Sequence, residues 1–125
     1  MTERMSHEEY VAAQRRRVAE LARDILAGDI DVLDGSAKIV SLRDELDIDR
    51  NDDDLMAFVV VDSETDTLPV GKEALNWSED ALARKQPVLE RARSWAIDVV
   101  RQPCENLLAR FGDVQQIGYE RRSQA

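Results

Sequence analysis

The most constraining stretch of the chain is an apolar run that acidic residues enclose on both sides. The run, Leu55 to Val61, reads LMAFVVV. Its three valines favour a β-strand, whereas the three aspartates directly before it are typical of a helix N-terminus. No turn signal separates the run from Ser63 and Glu64. The sequence therefore predicts a buried helix over about residues 52–65, with a strand as the alternative.

Few residues in the chain favour turns, which bears on the class of fold. Among 125 residues there are five glycines and three prolines, too few for the many turns of a sandwich or barrel. A chain of this length forms one domain with a single core. We expect an all-α, single-domain bundle of four to six helices around the 55–61 run. It occupies residues 1–112 and leaves a polar C-terminal tail at 113–125. The alternative is an α+β fold with a small hairpin at 56–70, formed by 56–61 and 67–70.

Capping residues predict where the early helices begin and end. Ser6 with Glu9 three residues later forms a capping-box pattern. The helix that follows is predicted to end at Gly28, a residue suited to a C-terminal cap. A short turn is predicted to end at Gly35, after which Ser36 caps a second helix.

The last helix is predicted to begin after Ser78 and to end near Gly112. Apolar residues follow helical spacing through most of this segment. Pro87 and Pro103 lie inside it, and proline removes a backbone hydrogen bond and crowds the preceding turn. The sequence predicts a break or bend near 85–87 and a kink near 100–103.

The charge of the chain is concentrated in its middle third. The net charge is −9, and residues 24–66 hold fourteen acids and three bases, a local charge of −11. Such a block repels nucleic-acid phosphates and anionic lipid and attracts basic proteins or hard cations. The alternative is a solvated acidic face that only keeps the protein soluble.

One acidic segment partly matches a calcium-binding loop. Asp47, Asp49 and Asn51 fit the first three ligand positions. Asp52 then stands where the loop requires glycine, and Phe58 stands where a bidentate glutamate closes the site. The segment is therefore better interpreted as a connector in which Asp52 caps the next helix.

Three acids at the other end of the apolar run are the weak candidates for a metal site. Asp62 and Asp66 are four residues apart and share a helix face, with Glu64 between them. Such carboxylates bind Mg²⁺ in helical nucleotide pyrophosphohydrolases, but those enzymes need paired ExxE motifs on two helices, which this chain lacks. The structural alternative is that Asp66 pairs with Arg91 or Arg93.

Neither a catalytic residue nor a cofactor is assigned from the sequence. The chain has one histidine, His7, close to its start, and one cysteine, Cys104, which is predicted to be a buried thiol. Whether the chain is an enzyme stays open, with the balance against it. Without an export signal or an apolar run of membrane-spanning length, the chain is expected to act in the cytoplasm and away from membranes.

Several segments carry a resemblance to a known family. The run Phe58 to Asp66, with Leu68 to Gly71, Trp77-Ser78 and Ala81-Leu82, resembles a family of small uncharacterised bacterial proteins over about residues 20–112. The shared pattern is DSETDxLPxG followed by WSxxAL. This resemblance implies no activity. In size and acidity the chain is also similar to the immunity partners of bacterial toxins.

Together these features predict a non-enzymatic, acidic protein-binding module with a basic protein as its partner. An immunity protein that neutralises a basic bacterial toxin is one form of this prediction. The alternatives are a metal-dependent hydrolase and a housekeeping domain. The predicted partner-binding residues are six acids: Asp52, Asp53, Asp54, Asp62, Glu64 and Asp66.

Overall fold

The protein is all-α in the part that the structure describes. This computed structural model describes residues 6–112. The elements are α1 (His7–Ala27), α2 (Val32–Leu42), α3 (Asp53–Thr65) and α4 (Glu79–Phe111), with 3-10 segments at Arg43–Glu45 and Gly71–Asn76. Residues 6–112 contain no β-strand, so the predicted all-α class is confirmed and the alternative hairpin at 56–70 is wrong.

The four helices pack as a closed bundle around one core. Each helix contacts the next one along the chain, and α4 also packs against α1. The core draws large apolar side chains from all four helices. Its fully buried members include Val18, Ile25, Leu33, Ile39, Leu46, Leu55, Phe58, Val61, Val100 and Leu107. Because α3 contributes three of these, the 55–61 run lies in the core as predicted.

Local caps fix the helix starts that the sequence identifies. The Ser6 hydroxyl accepts a hydrogen bond from the Glu9 amide at 3.1 Å, and the Glu9 carboxylate accepts one from the Ser6 amide at 2.9 Å. Ser78 caps α4 by accepting from the Ala81 amide at 3.1 Å. Helix α1 ends at Gly28, whose φ of 78° is in the left-handed region that favours glycine. These three predictions are confirmed.

Helix α2 begins earlier than predicted. Its N-cap is Asp31, whose carboxylate accepts a hydrogen bond from the Leu33 amide at 2.9 Å. Gly35 and Ser36 therefore lie inside the helix, and the predicted start at Ser36 is wrong. A β-carbon on Gly35 would lie 2.7 Å from Ile25 Cγ1, so the glycine permits close packing of α2 on α1 rather than ending a turn.

Helix α3 buries one face rather than its whole circumference. Asp52 caps it as predicted, accepting from the Asp54 amide at 3.0 Å. Leu55, Phe58 and Val61 are buried, whereas Val60 is 45% exposed. The apolar run is therefore not covered on all sides.

Helix α4 passes through both prolines without interruption. It runs from Glu79 to Phe111 with Pro87 and Pro103 inside, which at about 1.5 Å per residue makes it roughly 50 Å long. The predicted break near 85–87 is therefore wrong. Pro87 is exposed, so water can solvate the backbone groups that its ring leaves unpaired. From Leu89 onward, buried side chains hold the helix to the core.

Two sequence predictions concern membranes and the C-terminus. None of the helices within residues 6–112 combines the length and apolarity that crossing a membrane requires. The predicted polar tail at 113–125 lies outside the described residues.

Candidate partner-binding surfaces on helix α3

The acids at the N-terminus of α3 are engaged by a side chain of α4. Arg110 Nη1 and Nη2 each donate to one oxygen of Asp52, both at 2.9 Å. Arg110 Nη1 also donates to Asp54 Oδ2 at 2.8 Å. The second Asp54 oxygen accepts from Asn106 Nδ2 at 2.8 Å. We call Asp52, Asp54, Asn106 and Arg110 the acidic clasp, because it fastens the start of α3 to the end of α4.

The clasp offsets part of the acidic charge as well as joining two helices. The hydrogen bond from Arg110 lowers the pKa of Asp52 below its ordinary value, and burial opposes that shift. Asp54 uses both of its oxygens within the chain. Of the three predicted partner-binding acids at this end, only Asp53 is exposed.

A stack of side chains holds Arg110 in place. Its guanidinium lies 5.2 Å from the centre of the Phe111 ring, and the Arg15 guanidinium lies 5.3 Å from the same ring. Arg15 in turn donates through Nε to the Leu46 carbonyl at 2.9 Å. Cation–π contacts of this kind contribute about 0.5–1 kcal/mol each where exposed. The stack therefore links α1, the loop before α3 and the end of α4.

The acids at the C-terminus of α3 have a different environment. Asp62 and Asp66 lie four residues apart on one face, whereas Glu64 lies about 160° away around the helix axis. Asp62 is half-buried and the other two are exposed. None of the three forms an ion pair within residues 6–112. The structure therefore does not bring the three carboxylates to one point.

The alternative partners suggested for Asp66 are not used. Arg93 Nη2 lies 2.8 Å from Asp31 Oδ2, and Arg93 Nη1 lies 3.3 Å from Glu90 Oε2. Arg91 is exposed and forms no ion pair within the described part of the chain. The predicted pair of Asp66 with Arg91 or Arg93 is therefore wrong, and these acids face solvent uncompensated.

A groove of about 350 Å³ lies beside the C-terminal end of α3, between it and α4. Its α3 side includes Glu64, and its α4 side includes Arg91 and Trp95. Trp95 is 38% exposed. Val60, one helical turn before Glu64, adds a second exposed apolar side chain on the same flank of α3.

The remaining candidate groups for chemistry lie apart from each other. Residues 6–112 contain no group of three or more histidine, cysteine, aspartate or glutamate residues placed to hold a metal ion. Cys104 is buried as predicted, and its burial raises the pKa of the thiol to about 12. The Cys104 thiol is therefore protonated at neutral pH. His7 is exposed, with Nε2 3.9 Å from Asp47 Oδ2.

Three side chains of these surfaces were not identified from the sequence. Arg110 and Asn106 meet acids more than fifty positions earlier in the chain, and no local pattern signals such a pairing. Trp95 follows the helical spacing of core residues, and only its exposure distinguishes it from them. A surface tryptophan is uncommon enough to mark a candidate contact residue.

Comparison of the chain with models of protein families, with curated proteins and with solved structures gives no match. The resemblance to a small bacterial family therefore stays a prediction. The distribution of charge along α3 is the observation from which a function is proposed below.

Proposed function

We propose that this chain is a non-enzymatic module that binds a basic protein through the acids at the C-terminal end of α3. The observation that carries this proposal is the contrast between the two ends of that helix. Arg110 pairs with both Asp52 and Asp54 and offsets one of their two negative charges. Asp62, Glu64 and Asp66 have no ion pair within residues 6–112.

The position of these acids makes them an attractive site for cations. The C-terminus of a helix carries about half a negative charge, so acids there oppose the helix dipole and cost stability. A cationic partner relieves this repulsion on binding. Complementary charge of this kind speeds association and selects the partner more than it adds raw affinity.

The partner expected from this chemistry is a protein with exposed lysine and arginine side chains. A bacterial toxin with a basic functional surface belongs to this class, in which case the chain acts as its immunity protein. Asp53 is exposed at the other end of α3, about 180° around the helix axis from Asp62, so it lies apart from this surface.

Affinity capture tests the proposal directly. We expect the immobilised chain to recover a basic protein from native lysate, and we expect the double reversal Asp62→Lys with Asp66→Lys to reduce recovery about tenfold. The reduction should shrink as salt rises, because the Debye length falls from about 10 Å at 0.1 M to 3 Å at 1 M. Reversals at Asp52 or Asp54 are unsuitable, since they would also break the clasp.

A matched control changes the same charge elsewhere. Asp29 and Glu105 are exposed and form no ion pair within residues 6–112. Reversal of these two acids to lysine alters the net charge by the same amount and should leave recovery unchanged. Equal loss in both double variants would show that only total charge matters, and the proposed site would then be rejected.

A further inference from the structure

The groove between α3 and α4 presents opposite charges on its two walls. Glu64 lies on the α3 wall and Arg91 on the α4 wall. Both side chains are exposed, and neither forms an ion pair within residues 6–112. Each wall therefore offers one uncompensated charge of a different sign.

The space between these charges is lined mainly by apolar side chains, together with Thr65 and Thr67. Leu68, Val88 and Ala92 line the groove together with Trp95. Trp95 and Val60 are two of the few large apolar side chains on the surface of the described chain, at 38% and 45% exposure. Tryptophan and arginine are the residue types most enriched at the centres of protein interfaces.

We propose that this groove is the contact surface of a two-fold symmetric homodimer. In a two-fold interface the same patch meets its own copy, so the patch must be complementary to itself. A groove with an acid on one wall, a base on the other and an apolar centre meets that requirement. A partner with only basic side chains is not complementary to this groove, because its positive charges would repel Arg91.

The signs of the charges fix the direction of the symmetry axis. When the axis runs along the groove, the α3 wall of each copy faces the α4 wall of the other. Glu64 of one copy then pairs with Arg91 of its partner, twice. An axis across the groove would instead oppose Glu64 to Glu64, which is unfavourable.

The dimer involves Glu64 but neither Asp62 nor Asp66, which lie on the other side of α3. Asp62 and Asp66, two of the three acids assigned above to a basic protein, therefore stay accessible in the dimer, and the two proposals can fail separately. Loss of the dimer leaves the capture experiment unaffected. Loss of capture leaves the oligomeric state unaffected.

A charge swap tests the proposal. Sedimentation velocity of the full chain across roughly 10–500 μM should show a species of twice the 14.2 kDa chain mass. Glu64→Arg alone and Arg91→Glu alone should each raise the dimer dissociation constant at least tenfold. The double variant should restore it to within about threefold of the original. Circular dichroism checks that each variant keeps its helices.

An apolar substitution provides the second measurement. Trp95→Ser should raise the dissociation constant by more than tenfold, as expected for a central anchor. Leu26→Ser is the matched control, because Leu26 is 37% exposed on α1 and α1 does not line the groove. A monomer at every concentration would overturn the proposal. So would a dimer that ignores Trp95→Ser, or a double variant that dissociates further than either single one.

Discussion

Ser36 is a buried polar side chain without a hydrogen-bond partner among residues 6–112. It is fully buried inside α2, and its hydroxyl makes no hydrogen bond within residues 6–112. An unsatisfied buried polar group costs about 1–3 kcal/mol, and serine is a weaker helix former than alanine. The hydroxyl therefore weakens the packing of α2 in the core.

We expect Ser36→Ala to raise the free energy of unfolding by about 1 kcal/mol, measured by urea denaturation. Ser41→Ala is the matched control in the same helix. The exposed Ser41 hydroxyl donates to the Lys38 carbonyl at 2.6 Å, so its removal should give no comparable gain. A loss of stability in Ser36→Ala would contradict this account of the hydroxyl.

Arg110 satisfies two carboxylates at once, so its replacement should be costly. Arg110→Gln leaves Asp52 and Asp54 close together without a cation. We expect a loss of about 1–2 kcal/mol in the free energy of unfolding at pH 7, since charge-assisted hydrogen bonds exceed neutral ones but partial exposure screens them. Arg101 is exposed on the same helix and forms no ion pair within residues 6–112, so Arg101→Gln should change the free energy of unfolding little.

The effect of Arg110→Gln on the free energy of unfolding should depend on pH in a defined direction. Arg110 lowers the pKa of Asp52 in the folded state, so this pair stabilises the fold above the unfolded value of about 3.9. Its contribution is lost as pH falls through the lower folded pKa. The difference in the free energy of unfolding between wild type and Arg110→Gln should therefore have its full value at pH 7 and become smaller below about pH 4. If this difference in the free energy of unfolding were the same at pH 3 as at pH 7, the stabilising role of the Arg110–Asp52 pair would be contradicted.

At the scale of the elements, local signals account for the helix starts at Ser6, Asp52 and Ser78. Each is a short polar residue that accepts a hydrogen bond from an amide two or three residues later. Such a cap can be predicted from sequence because both partners lie within one turn.

The start of α2 could not be predicted in the same way. Asp31 and Ser36 are both suitable caps, and Gly35 resembles a stop signal between them. The choice depends on a tertiary contact: a β-carbon on Gly35 would come within 2.8 Å of Ile30 Cδ1 as well as meeting Ile25. The glycine is placed by packing against α1, which local sequence does not reveal.

Helix α4 is a second element that its local sequence does not predict correctly. Proline in a helix interior costs about 3 kcal/mol, and this cost motivated the predicted break. Six side chains of the helix, from Leu89 to Phe111, are buried in the core. At about 1.5–3 kcal/mol for each large buried side chain, their burial exceeds the cost. The same long-range packing creates the clasp and the groove, which is why neither followed from the sequence.

At the scale of the whole molecule, the structure separates acids that the sequence groups together. Residues 24–66 carry a net charge of −11, and α3 has acids at both of its ends. Arg110 offsets one of the two charges of Asp52 and Asp54, so the larger open negative charge lies at the C-terminal end. The surface proposed for a basic partner therefore contains fewer acids than the six that the sequence predicts.

The most direct test of this account is a titration of the ¹⁵N-labelled chain with a ten-residue oligolysine, followed by amide chemical shifts. We expect the largest chemical-shift changes at residues 62–66 and clearly smaller ones at 52–54, because Arg110 already pairs with Asp52 and Asp54. Shifts at 52–54 that equal or exceed those at 62–66 would contradict the proposed binding surface.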